Sequence, residues 1–181
     1  MSLDRREFLK MSAGAFAAAF LPLQTLASTL PETDTARRLS FFNTHTRESL
    51  DICYFNRGAY CKDALDRINY ILRDHRSHEV HPIDVRLLDQ LYAVKSKVRP
   101  ETPFYVISGY RSPETNSMLR QTTTGVARTS FHTKGKAIDI RLPGYGTGRL
   151  RDLCISMKSG GVGFYAKSDF IHLDTGPVRR W

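Results

Sequence analysis

The chain has 181 residues, 41% apolar and 25% charged, with a net charge of +9. That is one globular domain with a short extension, able to bury a full core; its three cysteines, Cys53, Cys61 and Cys154, are too few and odd in number for a disulfide scaffold. The only long apolar run lies at the N-terminus, which excludes a multi-pass membrane protein, and the basic balance points to an anionic partner: nucleic acid, acidic membrane or cell-wall polymer.

The first element is a leader. Asp4-Arg5-Arg6-Glu7-Phe8-Leu9-Lys10 precedes an apolar stretch from Met11 to Leu23, and small residues follow to Ala27. A charged start, a short apolar core and a small-residue exit form a bacterial export signal, and the paired arginines resemble the twin-arginine type. The apolar run falls short of the ~20 residues that span a bilayer. Residues 1–27 are therefore expected to direct export to the periplasm, with membrane attachment only if the leader stays uncleaved. An exported domain meets peptidoglycan and phospholipid rather than nucleic acid. In an oxidising compartment Cys53 and Cys61 could pair, leaving one free thiol.

Residues 28–38 read as a polar linker, and the domain proper as 39–181. Residues 39–45 and 48–55 are rich in aromatic and β-branched side chains around a polar turn, which predicts a hairpin. Leu65, Ile68, Ile71 and Leu72 recur at helical spacing over 61–75. The pattern repeats from Asp84 to Val98, with Asp84 as a cap and Pro100 as the stop. His75, His78 and His81 fall in the polar connection between these helices and read as a solvated segment; His45 lies in an exposed turn. Residues 104–108 form a strand and 113–120 a short helix. A strand over 136–142, a Gly- and Pro-rich loop, a helix over 149–158 and strands over 161–166 and 170–175 complete the chain. Helices first and strands later predict an α+β class with an antiparallel sheet flanked by helices.

The chemistry concentrates late in the sequence. His132 opens a turn containing Gly135, and Asp139 alternates with Ile138 and Ile140, so it faces away from them and needs a partner. On the final strand His172 and Asp174 share one face by the same alternation. Two histidines and one aspartate can supply three metal ligands and leave a fourth position open, as in catalytic zinc sites; the competing arrangement is a buried His–Asp hydrogen-bond pair.

Ser108-Gly109-Tyr110-Arg111-Ser112, then His132 and Asp139, then Asp169 and His172, resemble in order the D-Ala-D-Ala zinc peptidases of the lysostaphin, D-Ala-D-Ala and hedgehog-like metal fold. Gly161-Val-Gly-Phe-Tyr165 and the segment from His172 to Trp181 are similar to the YcbK/MepK-type murein endopeptidases, and the resemblance spans roughly residues 39–181. It implies a monomeric zinc peptidase acting on peptide cross-links of peptidoglycan, with weaker support for cross-links between two diaminopimelate residues. It implies zinc on His132, Asp139 and His172, with Arg111 steadying the substrate carbonyl. Asp169 falls where the dipeptidases place a glutamate base, and Asp174 is its rival or a residue orienting a ligand. The alternatives are a carboxypeptidase or dipeptidase on the same site, and a non-catalytic wall-binding module.

Overall fold

The computed structural model describes residues 36–98, 102–123 and 126–181. The leader, most of the linker and Pro100 lie outside the described residues. Strands β1 (Arg37–Asn43) and β2 (Ser49–Asn56) form the expected hairpin, and β3 (Ala59–Tyr60) adds a short return on β2. Helices α1 (Lys62–Ile71) and α2 (Val85–Val98) follow, then β4 (Phe104–Ser108) and α3 (Pro113–Thr122). A 3-10 turn at Phe131–Lys134 leads into β5 (Ala137–Arg141) and α4 (Thr147–Met157), and β6 (Gly161–Tyr165), β7 (Phe170–Asp174) and β8 (Arg179–Arg180) close the chain.

The eight strands form one sheet in the order β3-β2-β1-β4-β5-β7-β6-β8. The class is α+β, but the sheet is mixed, which corrects the expectation of a purely antiparallel one. β4 runs parallel to β1, and β8 runs parallel to β6. The first parallel pair follows from connectivity. α1 and α2 carry the chain back along the sheet before β4 begins, and such a crossover lays the next strand in the same direction as the first.

The sheet is two-faced. Leu39, Phe41, Tyr54, Phe104, Ile138, Ile140 and Ile171 are fully buried on one face, in one core with Ile68, Leu72, Leu87, Leu88, Leu91 and Leu150 from α1, α2 and α4. Truncating one such leucine to alanine costs about 2–5 kcal/mol. Alternation then sends Asp139, Arg141, Phe170, His172 and Asp174 to the other face.

Helix α1 ends at Ile71, short of the expected 75, because the next residues have tertiary tasks. Arg73 is buried in a forked pair with Glu48 at 2.8 and 3.0 Å, and Asp74 is buried beneath the loop after β4. Asp84 does cap α2: its carboxylate accepts the backbone N–H of Arg86 at 3.0 Å. Cys53, Cys61 and Cys154 are all free thiols, so the possible Cys53–Cys61 pair is not formed.

Candidate metal centre

Neighbouring strands β5 and β7 pair in a register that sets Asp139 directly opposite His172 on the face away from the apolar core. His132 arrives from the 3-10 turn, which is built to hold it. The Ser130 hydroxyl accepts the His132 backbone N–H at 3.3 Å, and Gly135 closes the turn at φ +62°. A Cβ on Gly135 would stand 2.1 Å from the Pro82 carbonyl oxygen, so only glycine fits between the turn and the α1–α2 connection.

The three side chains converge. His132 Nε2 lies 3.1 Å from His172 Nδ1 and 3.2 Å from Asp139 Oδ1, and His172 Nδ1 lies 2.9 Å from Asp139 Oδ1. All three residues are buried, and among the described residues they form the one group of three such side chains able to hold a metal. The outer nitrogens are engaged as well. His132 Nδ1 sits 2.7 Å from the Gly109 carbonyl, and His172 Nε2 sits 2.9 Å from the Asp174 carboxylate. Both partners accept, so each outer nitrogen has a place for its hydrogen when the inner one turns a lone pair to a metal. Two ring nitrogens and a carboxylate oxygen face one another, a donor set suited to a cation. Donors about 2.0–2.2 Å from a tetrahedral zinc stand roughly 3.3–3.6 Å apart, so the observed triangle opens by only a few tenths of an ångström to take one. The donor set fits zinc.

Electrostatics agree. Burial opposes ionisation of Asp139, yet His132 and His172 hold its carboxyl well below the usual range. Burial disfavours a charged His172, but Asp139 and Asp174 outweigh it and raise its pKa. A proton and a metal ion compete for the same place, which makes metal affinity fall in acid.

Asp174 is fully buried and fully engaged. Besides His172 it accepts from Arg179 at 2.7 and 3.0 Å, from the Gly176 amide at 2.8 Å and from the Gly161 amide at 3.2 Å. Its carboxylate thus touches His172 from behind, away from the converging donors. Asp169 is not brought to the triad. It occupies a left-handed turn before β7 at φ +51°, 63% exposed, with its carboxylate on the Thr147 hydroxyl and 3.6 Å from Arg141.

Arg111 does face the triad. Its Nη2 lies 3.7 Å from Asp139 Oδ2 and 3.3 Å from the Ser108 hydroxyl, while its buried Nε has no hydrogen-bond partner among the described residues. Burial lowers its pKa against the pull of Asp139, but a guanidinium remains charged. The loop that carries it is pinned twice: Tyr110 donates its N–H to the Leu72 carbonyl at 2.7 Å, and Ser112 donates to Asp74 at 2.8 Å. Burial pushes the Asp74 carboxyl up, but hydrogen bonds from Thr115, Ser112 and Arg76 prevail and hold it at about 2.

The other histidines stay out of the triad. His75 stacks on His45 with ring centres 3.8 Å apart, His81 stacks on Tyr110 at 4.6 Å, and His78 is exposed. Sequence reasoning missed Asp74, Arg179, Tyr165 and Trp181. The Trp181 ring lies 5.3 Å from that of His172 and donates to the Tyr165 hydroxyl at 3.2 Å. It lies over Gly163, the residue opposite His172, where a Cβ would meet the indole at 2.7 Å. That glycine was the available signal.

Residues 31–181 match a family model described as peptidoglycan L,D-endopeptidase MepK. The chain is 39% identical over 178 residues to peptidoglycan L,D-endopeptidase MepK of Escherichia coli strain K12, covering 98% of this chain and 97% of that one. It is 36% identical over 179 residues to a probable peptidoglycan L,D-endopeptidase MepK of Haemophilus influenzae, covering 98% and 95%. No solved structure gives a significant match.

Proposed function

The chain belongs to the peptidoglycan L,D-endopeptidase MepK family, and on that premise we propose that it hydrolyses peptide cross-links of peptidoglycan with a zinc ion held by His132, Asp139 and His172. The observation that carries the proposal is the convergence of two imidazole nitrogens and one carboxylate oxygen within 3.2 Å of one another. A zinc ion held there supplies Lewis acidity and a water acidified to near neutral pH.

The chain's own residues do the rest. Gly109 and Asp174 fix the two imidazoles in the ligating tautomer. The Arg111 guanidinium, whose Nε has no partner among the described residues, stabilises the oxyanion that develops on the scissile carbonyl. Asp174 is a positioning residue acting through His172. Asp169 ties the turn before β7 to the first residue of α4 rather than serving as the base. All three donors come from one chain, which supports action as a monomer. The twin-arginine-type leader over residues 1–27 supports a periplasmic location, and the net charge of +9 suits an anionic polymer rather than requiring nucleic acid.

The test is a digest of cross-linked muropeptides by the mature protein with and without zinc, resolved by mass spectrometry, with His132→Ala alongside. Zinc-dependent conversion of dimers to monomers, absent in the variant, is expected. Release of a single terminal residue would make the protein a carboxypeptidase. No turnover by folded, zinc-loaded protein would leave a wall-binding module.

A further inference from the structure

The face opposite the apolar core carries a second row of side chains beside the metal row. Phe42 pairs in register with Tyr105, and Tyr105 with Arg141. Phe170 pairs with Tyr165, and Arg141 and Phe170 lie one place beyond the Ile140–Ile171 pair. The result is a line across five strands, aromatic–aromatic–arginine–aromatic–aromatic. The Phe42 and Tyr105 rings are 4.8 Å apart, and the Tyr165 and Phe170 rings stack at 4.6 Å. Arg141 is the one cation in the line. It lies two residues from Asp139 on the same strand, so the rows are separated by about 6.6–6.8 Å, one step of the pleat.

Arg141 is poised rather than spent. Its side chain is 40% exposed, and its ion pair with Asp169 is 3.6 Å long, beyond hydrogen-bond range, with a partner itself 63% exposed. Such a pair is worth little and exchanges readily. A guanidinium is a planar fork matched to a carboxylate.

We propose that Arg141, framed by Tyr105 and Phe170, is a specificity subsite that takes the free carboxylate of the substrate residue beside the scissile bond. This rests on the peptidoglycan reading above and deepens it. In a cross-link made through an amine on a D-configured carbon, that carbon bears a carboxyl group as well as the scissile nitrogen. The carboxyl stands within one residue's length, about 3.8 Å, of the bond to be cut. With the scissile carbonyl at the metal row, it comes within the reach of the Arg141 side chain. The subsite favours stems whose diaminopimelate carboxyl is free over stems in which it is amidated.

Two arms test this on zinc-loaded mature protein. The first titrates the tripeptide stem L-Ala-γ-D-Glu-diaminopimelate, with the carboxyl on the D-configured carbon of its diaminopimelate free or as the carboxamide, and reads Trp181 fluorescence. The wild type is expected to bind the free acid at least tenfold more tightly, Arg141→Gln to bind both alike, and Arg141→Lys to keep part of the preference. The second arm follows cleavage of the matching cross-linked dimers. Arg141→Gln is expected to raise KM for the free-acid dimer at least tenfold, with kcat within threefold, and to leave the amidated dimer and the zinc content unchanged. No preference in the wild type, or an equal loss on both ligands in Arg141→Gln, overturns the subsite. Carboxylate-selective binding without cleavage upholds the subsite and overturns the endopeptidase reading instead.

Discussion

Replacing Asp174 by asparagine should disable the metal centre by moving one proton. Asp174 Oδ1 faces three donors, the Gly161 and Gly176 amides and Arg179 Nη1, while Oδ2 faces His172 Nε2 and Arg179 Nη2. An asparagine keeps its oxygen toward the larger set of donors, which turns its NH2 toward His172. Nε2 must then accept, so the imidazole proton shifts to Nδ1, where Asp139 Oδ1 waits at 2.9 Å. The lone pair that would hold the metal is gone. Residues that orient a ligating histidine are worth about 10–100-fold in metal affinity, or about 1.4–2.7 kcal/mol. Loss of a charge-assisted hydrogen bond costs the fold a further ~1.5–3 kcal/mol, equivalent to a fall in Tm of about 3–12 °C for a chain of this size. Zinc competition against a chromophoric chelator at pH 7 reads the affinity, and nitrogen-15 NMR of the imidazole reads the tautomer. A variant that binds zinc within twofold of the wild type, with His172 still protonated on Nε2, would refute the reasoning.

Gly135→Ala should unfold the region around His132, since its Cβ would sit 2.1 Å from a backbone carbonyl at φ +62°, whereas Gly144→Ala, at φ +79° with open space, should cost only about 1–2 kcal/mol; thermal melts of the two separate clash from strain. Asp74 has a folded pKa of about 2 against about 3.9 unfolded. Its contribution, about 2–3 kcal/mol, is therefore complete above about pH 4 and lost as pH falls through about 2. Urea denaturation across that window should show a flatter pH dependence in Asp74→Asn. Asp169→Asn should lower kcat by less than tenfold, because a working general base contributes about 10²–10⁴; a larger loss measured on muropeptide dimers would restore Asp169 to the proton-transfer step.

The convergence of His132, Asp139 and His172 was legible because their placement obeys local rules. Asp139 alternates with two isoleucines, His172 with Ile171 and Leu173, and Gly135 marks the turn that aims His132. The role of Asp174 was not legible to the same degree. Period-2 alternation places it on the correct face, but its engagement depends on Arg179 and two glycine amides that only the β6–β7–β8 arrangement brings together. Asp74 sits in a stretch of polar residues that reads as solvated, and its burial is decided by the Ser112 amide far along the chain. β3 and β8 are two residues each, too short for any periodicity to register. The parallel β1–β4 pair was missed for a different reason: strand direction is a property of the crossover, and no single segment encodes it.

That parallel pair also sets the order in which the molecule can be assembled. Gly109, whose carbonyl fixes His132, follows directly on β4, and β4 has its place only once α1 and α2 have brought it back to β1. Gly135 meets Pro82, and its carbonyl accepts the Asp84 backbone N–H at 2.9 Å, again across a long stretch of chain. Contacts so distant in sequence form late, because loop closure must precede the reward. The metal pocket is therefore among the last parts to form, and the nascent chain offers an ion no organised foothold. Folding and metal loading become separate events: the apoprotein should fold first, and metal acquisition becomes a matter of which ions surround the finished molecule.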